Sequence, residues 1–297
     1  YGAQVYLIDP SVAELSPVAA VGLAAGIIVL GWVVYDLLCK SPLGRNDTAL
    51  AAGLLVLVSV LAWALCQVFS GRGAYIHFGA ALGTIMVGNV FRVIIPSQKQ
   101  MVAAAERGEI PDPSYGQQGK QRSVHNTYFT LPVLFVMISN HYAMTYSAHY
   151  NWLVLIALSV AGALIRVYFV ARHKGSASLW PLALAILLLA TVAAALAPSS
   201  AKIAQSTISD EQIVQIMHAR CTTCHAEAPT FAAYATAPAG VLLETIAQIE
   251  AAAPRVHEQT VVSKVMPIGN LTGITDDERA QIDAWYQGLA AKSETDQ

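Results

Sequence analysis

The 297-residue chain is 55% hydrophobic and only 12% charged, about half the charged fraction of an ordinary soluble domain. That balance excludes a wholly water-soluble globule and a disordered chain, and four cysteines are too few for a disulfide scaffold. A net charge of −2 leaves no basic footprint for nucleic acid.

The average hides a division near residue 200. Up to that point the chain has eleven Lys+Arg and seven Asp+Glu; beyond it, six and twelve. The long apolar stretches all precede the division. The pattern predicts an all-α protein: a polytopic membrane domain over 1–198, then a small acidic domain over 199–297. The chain begins at Tyr1 without a signal-peptide pattern, so further N-terminal segments are expected.

Crossing a bilayer takes roughly 20 apolar helical residues. Six stretches meet that length: Pro17–Cys39, Thr48–Ser70, Gly73–Pro96, Val124–Tyr146, Tyr150–Ala171 and Ser178–Ala197. The first, second and sixth are almost free of charge, while the others carry His, Asn or Arg. The segment 97–123 between the third and fourth reads as a loop, irregular after a short helix around Gln100–Arg107. Orientation follows from Lys and Arg in the short connections. One side collects Lys40, Arg45, Lys99, Arg107, Lys120, Arg122, Arg172 and Lys174, and the other has only Arg72. The basic side is expected to face the cytoplasm, which puts the C-terminal domain outside it.

After an Ala/Pro/Ser linker over Ala197–Ile208, Ser209 and Gln212 form a helix-start capping box. The helix it opens leads to Cys221-Thr222-Thr223-Cys224-His225, a C-x-x-C-H attachment signal for haem c. Two thiols at this spacing form thioethers to one porphyrin, and the adjacent imidazole reaches the iron. A redox or zinc pair with a bystander histidine is the competing reading, but zinc needs two further ligands and no second Cys pair exists. Met266, in a rigid Pro/Gly segment, is the best candidate for the sixth iron ligand. His257 is its main rival, ahead of His218 and Met217. Val241–Ala252 carries a helical apolar stripe. Thr275 and Glu278 cap a last helix, Asp276–Ala291, with Ile282, Trp285 and Leu289 on one face. Trp285 and Tyr286 are expected to pack around the porphyrin. Together these describe a class I cytochrome c-like fold.

Ionisable groups inside spans are costly and so mark functional candidates. His77 and His141, with Asn140, fall near the outer surface, where they could approach each other. His125, Asn126, Arg92 and Arg166 fall toward the inner one, and His149 lies in an outer loop. Interfacial anchoring is the plainer alternative for each. Two of the histidines could also hold a b-type haem, though nothing in their spacing demands it. Asn126-Thr127-Tyr128 and Ser139-Asn140-His141-Tyr142 would suit a polar ring substrate equally well. Cys39 and Cys66 read as buried apolar residues.

Several segments together carry a family resemblance. They are Ser70–Ala80 (SGRGAYIHFGA), Gly88–Pro96 (GNVFRVIIP), Arg122–Asn126 (RSVHN) and Leu131–Tyr142 (LPVLFVMISNHY), followed by the C-x-x-C-H and Met266-Pro267. With these the chain resembles the bacterial membrane-bound urate oxidases (urate hydroxylases), in which a cytochrome c domain is fused to a polytopic membrane domain. The resemblance implies oxidation of urate to 5-hydroxyisourate in the bacterial inner membrane. Water would supply the oxygen and no hydrogen peroxide would form. Electrons would pass to a periplasmic haem c, then to a cytochrome c or terminal cytochrome oxidase. It also implies a longer N-terminal region with more spans. His77, His125, His141 and Arg166 are the catalytic candidates from the residues themselves. Two other classes stay open: a membrane-anchored cytochrome c subunit that only transfers electrons, and a transporter with a redox sensor.

Overall fold

The computed structural model describes residues 6–176, 178–197 and 208–295, and among these every regular element is helical. The predicted linker lies mostly outside the described residues. Backbone contacts divide the chain into two compact units: Val18–Leu196, and Ala197–Gln297 together with Tyr1–Pro17.

The first unit contains α1 (Pro17–Lys40), α2 (Asp47–Val68), α3 (Gly71–Asn89), α4 (Ile95–Glu106), α5 (Pro113–Ile138), a short α6 (Ala143–Tyr146), α7 (Asn151–His173) and α8 (Trp180–Leu196). Its helix starts are written locally. Asn46 accepts hydrogen bonds from the Thr48 and Ala49 amides, Ser70 from Gly73, and Asp112 from Ser114, with Pro113 at the first position. Four stretches are long and apolar enough to cross a membrane: Pro17–Lys40, Asp47–Val68, Gly71–Glu106 and Asn151–His173. Outward faces carry Val18, Leu30, Val56 and Leu187 more than half exposed, an apolar surface compatible with a membrane protein.

α3 is the central helix. Ala74, Tyr75, Phe78, Ala81, Leu82, Ile85 and Asn89 are all buried, because they repeat at three- and four-residue intervals along one side. A Cβ at Gly79 would fall 2.7 Å from Val136 Cγ1, so the missing side chain lets α3 and α5 approach closely. The Tyr75 hydroxyl reaches the carbonyls of Thr145 (2.9 Å) and Asn151 (2.8 Å), tying α3 to α6 and to the start of α7.

Three sequence expectations need correction. The third stretch does not stop at Pro96; it continues through a π-turn at Val90–Ile94 into α4. Segment 97–123 is not an irregular loop. It is a helical hairpin, because Gly108 turns with positive φ (73°) and Asp112-Pro113 restarts a helix that runs straight on to Ile138. The fourth stretch therefore ends earlier than expected, in a 3-10 turn at Ser139–His141. α5 falls short of a membrane-spanning hydropathy although it packs against both α3 and α7, because its N-terminal half carries Arg122, His125 and Asn126. α8, at 17 residues, is shorter than the length of a full span.

The C-terminal unit has α9 (Asp210–Arg220), α10 (Ile246–His257), a π-turn (Glu258–Val262) and α11 (Asp276–Thr295). The Ser209–Gln212 capping box forms as expected, and so does that of Thr275 with Glu278. Ile213, Met217, Ile249 and Ile282 are fully buried, with Trp285 beside them. The predicted helix at 241 starts instead at Ile246, capped by Thr245 and Gln248. The reason is visible in the backbone: the Val241 carbonyl accepts from His225 Nδ1, and the Leu243 amide donates to the His225 carbonyl. Val241 is accordingly extended, at φ −86° and ψ 116°, after positive φ at Ala239 and Gly240, so no helix can start there.

Candidate functional site

Polar side chains from α1, α3 and α5 meet inside the first unit. Arg122 is buried and pairs with Asp36 at 2.8 Å. Asp36 also holds Lys40, one turn on, at 2.6 Å. The Arg122 guanidinium lies 5.0 Å from the Tyr35 ring centroid. The Tyr35 hydroxyl is 2.8 Å from His125 Nδ1 and accepts from Asn89 Nδ2 at 2.8 Å. Asn89 Nδ2 also donates to Asn126 Oδ1 at 2.8 Å, and Asn126 Nδ2 to the Met86 carbonyl at 3.0 Å. Among the described residues no hydrogen bond engages His125 Nε2.

Local sequence makes this junction. A Cβ at Gly88 would fall 2.2 Å from Trp32 Nε1, so only glycine lets α1 close on α3 there. Just beyond, the π-turn carries Arg92 over the Trp32 ring at 5.7 Å. π-turns inside α-helices often mark functional sites. Arg166, from α7, donates to the Thr127 carbonyl at 3.3 Å, so it and His125 reach the same stretch of α5.

His77 and His141 belong elsewhere. His77 bonds through Nδ1 to the Gly73 carbonyl (2.8 Å) and stacks on Phe69. It precedes Asn89 on the same helix by about 18 Å of axial rise. His141 is exposed in the 3-10 turn. No hydrogen bond or ring contact joins the two among the described residues. Instead Arg72 Nε donates to Asn140 Oδ1 at 2.9 Å, pinning the start of α3 to that turn. His149 is exposed and meets the Tyr150 ring edge-on. Cys66 is buried as expected, but Cys39 is half-buried with its sulfur 3.9 Å from His125 Nδ1. Sequence reasoning missed Tyr35, Asp36 and Asn89. The available signal was Asp36, the one acid in an otherwise apolar first stretch.

In the C-terminal unit the Cys221–His225 motif follows α9 directly. With His225 Nδ1 held at 3.1 Å by the Val241 carbonyl, the ring is oriented and Nε2 is left for a metal. Burial pushes the Cys221 thiol up to about 12 and raises that of Cys224 as well. Among the described residues no cluster of three or more His, Cys, Asp or Glu side chains could hold a metal ion.

Met266 sits in a segment fixed from α11. The buried Arg279 Nη1 donates to the Met266 carbonyl at 2.9 Å and to the Thr260 carbonyl. Its rivals are occupied. His257 Nε2 pairs with Asp283 at 2.8 Å, and its ring stacks on Tyr286. His218 Nε2 bonds the Glu244 carbonyl at 2.8 Å, and Met217 is fully buried in the core. Trp285 packs in that core with its indole N–H on Asp210.

Residues 1–197 match the urate oxidase N-terminal family. The chain belongs to that family. Membership points to a urate-related oxidoreductase, an enzyme acting on urate. No curated protein and no solved structure matches the chain. The junction of Tyr35, Asp36, Asn89, Arg122, His125 and Asn126 lies wholly within the matched residues, and the Cys221–His225 motif lies beyond them.

Proposed function

We propose that this family member is a membrane-bound, cytochrome-linked urate oxidase. Urate and water give 5-hydroxyisourate, two protons and two electrons. The electrons pass to haem c on the C-terminal unit and on to a cytochrome c or terminal cytochrome oxidase, without hydrogen peroxide. The observation that carries this reading is one chain joining the family match over 1–197 to a C-x-x-C-H whose histidine already has Nδ1 engaged.

The residues of the C-terminal unit fit a c-type haem. Cys221 and Cys224 would carry the thioethers, which need no charged sulfur. His225 Nε2 and the Met266 thioether would hold its iron. Near Met266, Asn270 Oδ1 is buried with no hydrogen-bond partner, as expected where a bulky group completes the surroundings. When bound, the haem supplies a one-electron acceptor whose potential a thioether ligand raises. In the membrane unit, arginine and histidine are the residue types that donate hydrogen bonds to an anionic ring, and an imidazole with a free ring nitrogen can also take up a proton. His125 and Arg166 offer them at one end of the bundle, and His77 and His141 at the other. The reading includes six crossings, with α5 and α8 added to the four stretches of sufficient length. It places the basic side in the cytoplasm of a bacterial inner membrane and the cytochrome domain in the periplasm. The eight-to-one distribution of Lys and Arg supports that orientation.

Anaerobic addition of urate to the purified protein is expected to produce the reduced haem c absorption bands. A haem that dithionite reduces and urate does not would remove this reading and leave an anchored cytochrome. A pyridine haemochrome assay on the same sample counts any b-type haem beside the c-type one. Met266→Ala is expected to keep the covalent haem while lowering its potential on the order of 0.1 V, within the roughly 0.8 V that axial ligands span. An unchanged potential in redox titration would assign the sixth position to another residue.

A further inference from the structure

The hydrogen bonds around His125 run in one direction. Asn126 Nδ2 is committed to the Met86 carbonyl, so its Oδ1 faces Asn89. Asn89 Oδ1 faces Arg122 Nη1 at 3.5 Å, which leaves both hydrogens of Nδ2 for Asn126 Oδ1 and the Tyr35 hydroxyl. The Tyr35 oxygen therefore accepts from Asn89. Of the acceptors its own hydrogen can reach, His125 Nδ1 at 2.8 Å is the strong one, the Cys39 sulfur being a weak acceptor. The other neighbour of that nitrogen is the Cys39 thiol at 3.9 Å, itself a weak donor. Two donors converge on Nδ1, so in a neutral imidazole the proton sits on Nε2.

We propose that Tyr35 is a positioning residue that holds His125 as the Nε2–H tautomer. His125 then presents a hydrogen-bond donor to a carbonyl or anionic oxygen of a heterocycle bound at this end of the membrane unit. In this state Nε2 has no lone pair to accept a proton, so His125 binds and orients its ligand and is not a general base. A half-buried donor whose partner Tyr35 is itself held by Asn89 loses little freedom when it bonds. The ligand half of the proposal rests on the urate reading; the tautomer does not.

The test uses the full chain in lipid at about pH 8, where an ordinary imidazole is neutral, labelled with 15N-histidine and 13C-tyrosine. His125 is assigned by its through-space contact with Tyr35. The expected spectrum shows a bare Nδ1 and a protonated Nε2. Tyr35→Phe, which keeps the ring beneath Arg122, is expected to shift His125 toward the other tautomer. It should also raise the urate KM about tenfold, the equivalent of one hydrogen bond, with a much smaller change in kcat. A protonated Nδ1 in the unaltered protein overturns the proposal whether or not the variant folds. So does a Tyr35→Phe protein whose tautomer and KM are unchanged. An unaltered protein with the expected tautomer but no response to urate removes the ligand half together with the urate reading. An active protein with a protonated Nδ1 removes this proposal alone.

Discussion

Asp36→Leu is expected to lower the unfolding free energy of the Val18–Leu196 unit by about 3–5 kcal/mol, the usual cost of leaving one member of a buried ion pair alone. The argument is asymmetric. Arg122, whose side chain is 4% exposed, has Asp36 as its carboxylate at 2.8 Å, with Asn89 Oδ1 only at the edge of hydrogen-bonding distance. Removing Asp36 strands the guanidinium. Removing Arg122 leaves Asp36 still paired with Lys40, which reaches solvent at the end of α1. Arg122→Met should therefore cost clearly less than Asp36→Leu, and the double variant should recover much of the loss. Thermal unfolding in detergent or lipid measures all three. If Asp36→Leu proves as mild as Lys40→Met, the buried pair is not what secures this junction.

The second large effect concerns Arg279. Arg279→Met strips the donor from two carbonyls, those of Thr260 and Met266. An unsatisfied buried carbonyl costs about 1–3 kcal/mol, so the C-terminal unit should lose about 2–4 kcal/mol. For a unit of this size that corresponds to a Tm lower by roughly 10–25 °C. Lys264→Met is the comparison, because Lys264 pairs with Asp276 at 3.2 Å in largely exposed surroundings and should change little. Melting of the two variants, followed by helical circular dichroism, decides it. Equal midpoints would mean that the segment around Met266 is held by something other than Arg279.

What the sequence revealed depended on how local each signal was. Capping boxes at Ser209 and Thr275 are four-residue patterns, and both form. C-x-x-C-H is contiguous and directed attention to His225. By contrast, Tyr35, Asn89 and His125 are separated by dozens of residues, and no pattern within one helix shows that they touch. Asp36 looked like a minor blemish on an apolar stretch because its partner lies 86 positions away. The polarity of α5 misled in the same way. Arg122 read as the edge of a loop, and His125 and Asn126 as the inner end of a span, yet α1 and α3 supply the partners that let all three sit in one continuous helix. His77 and His141 were expected to approach each other from depth alone; the contact that forms at that level is Arg72 with Asn140.

The π-turn at Val90–Ile94 sets more than the position of Arg92. An extra residue in a helix turns everything after it by about 100°. α4 therefore docks on α5 in a phase that its own upstream helix would not dictate: Ser97 lies against Gly119 and Met101 against Gly116. The α4–α5 hairpin is thereby geared to the helical bundle by a single inserted peptide. Length in this segment, more than side-chain identity, is what relatives of the chain must preserve to keep the two arms meshed.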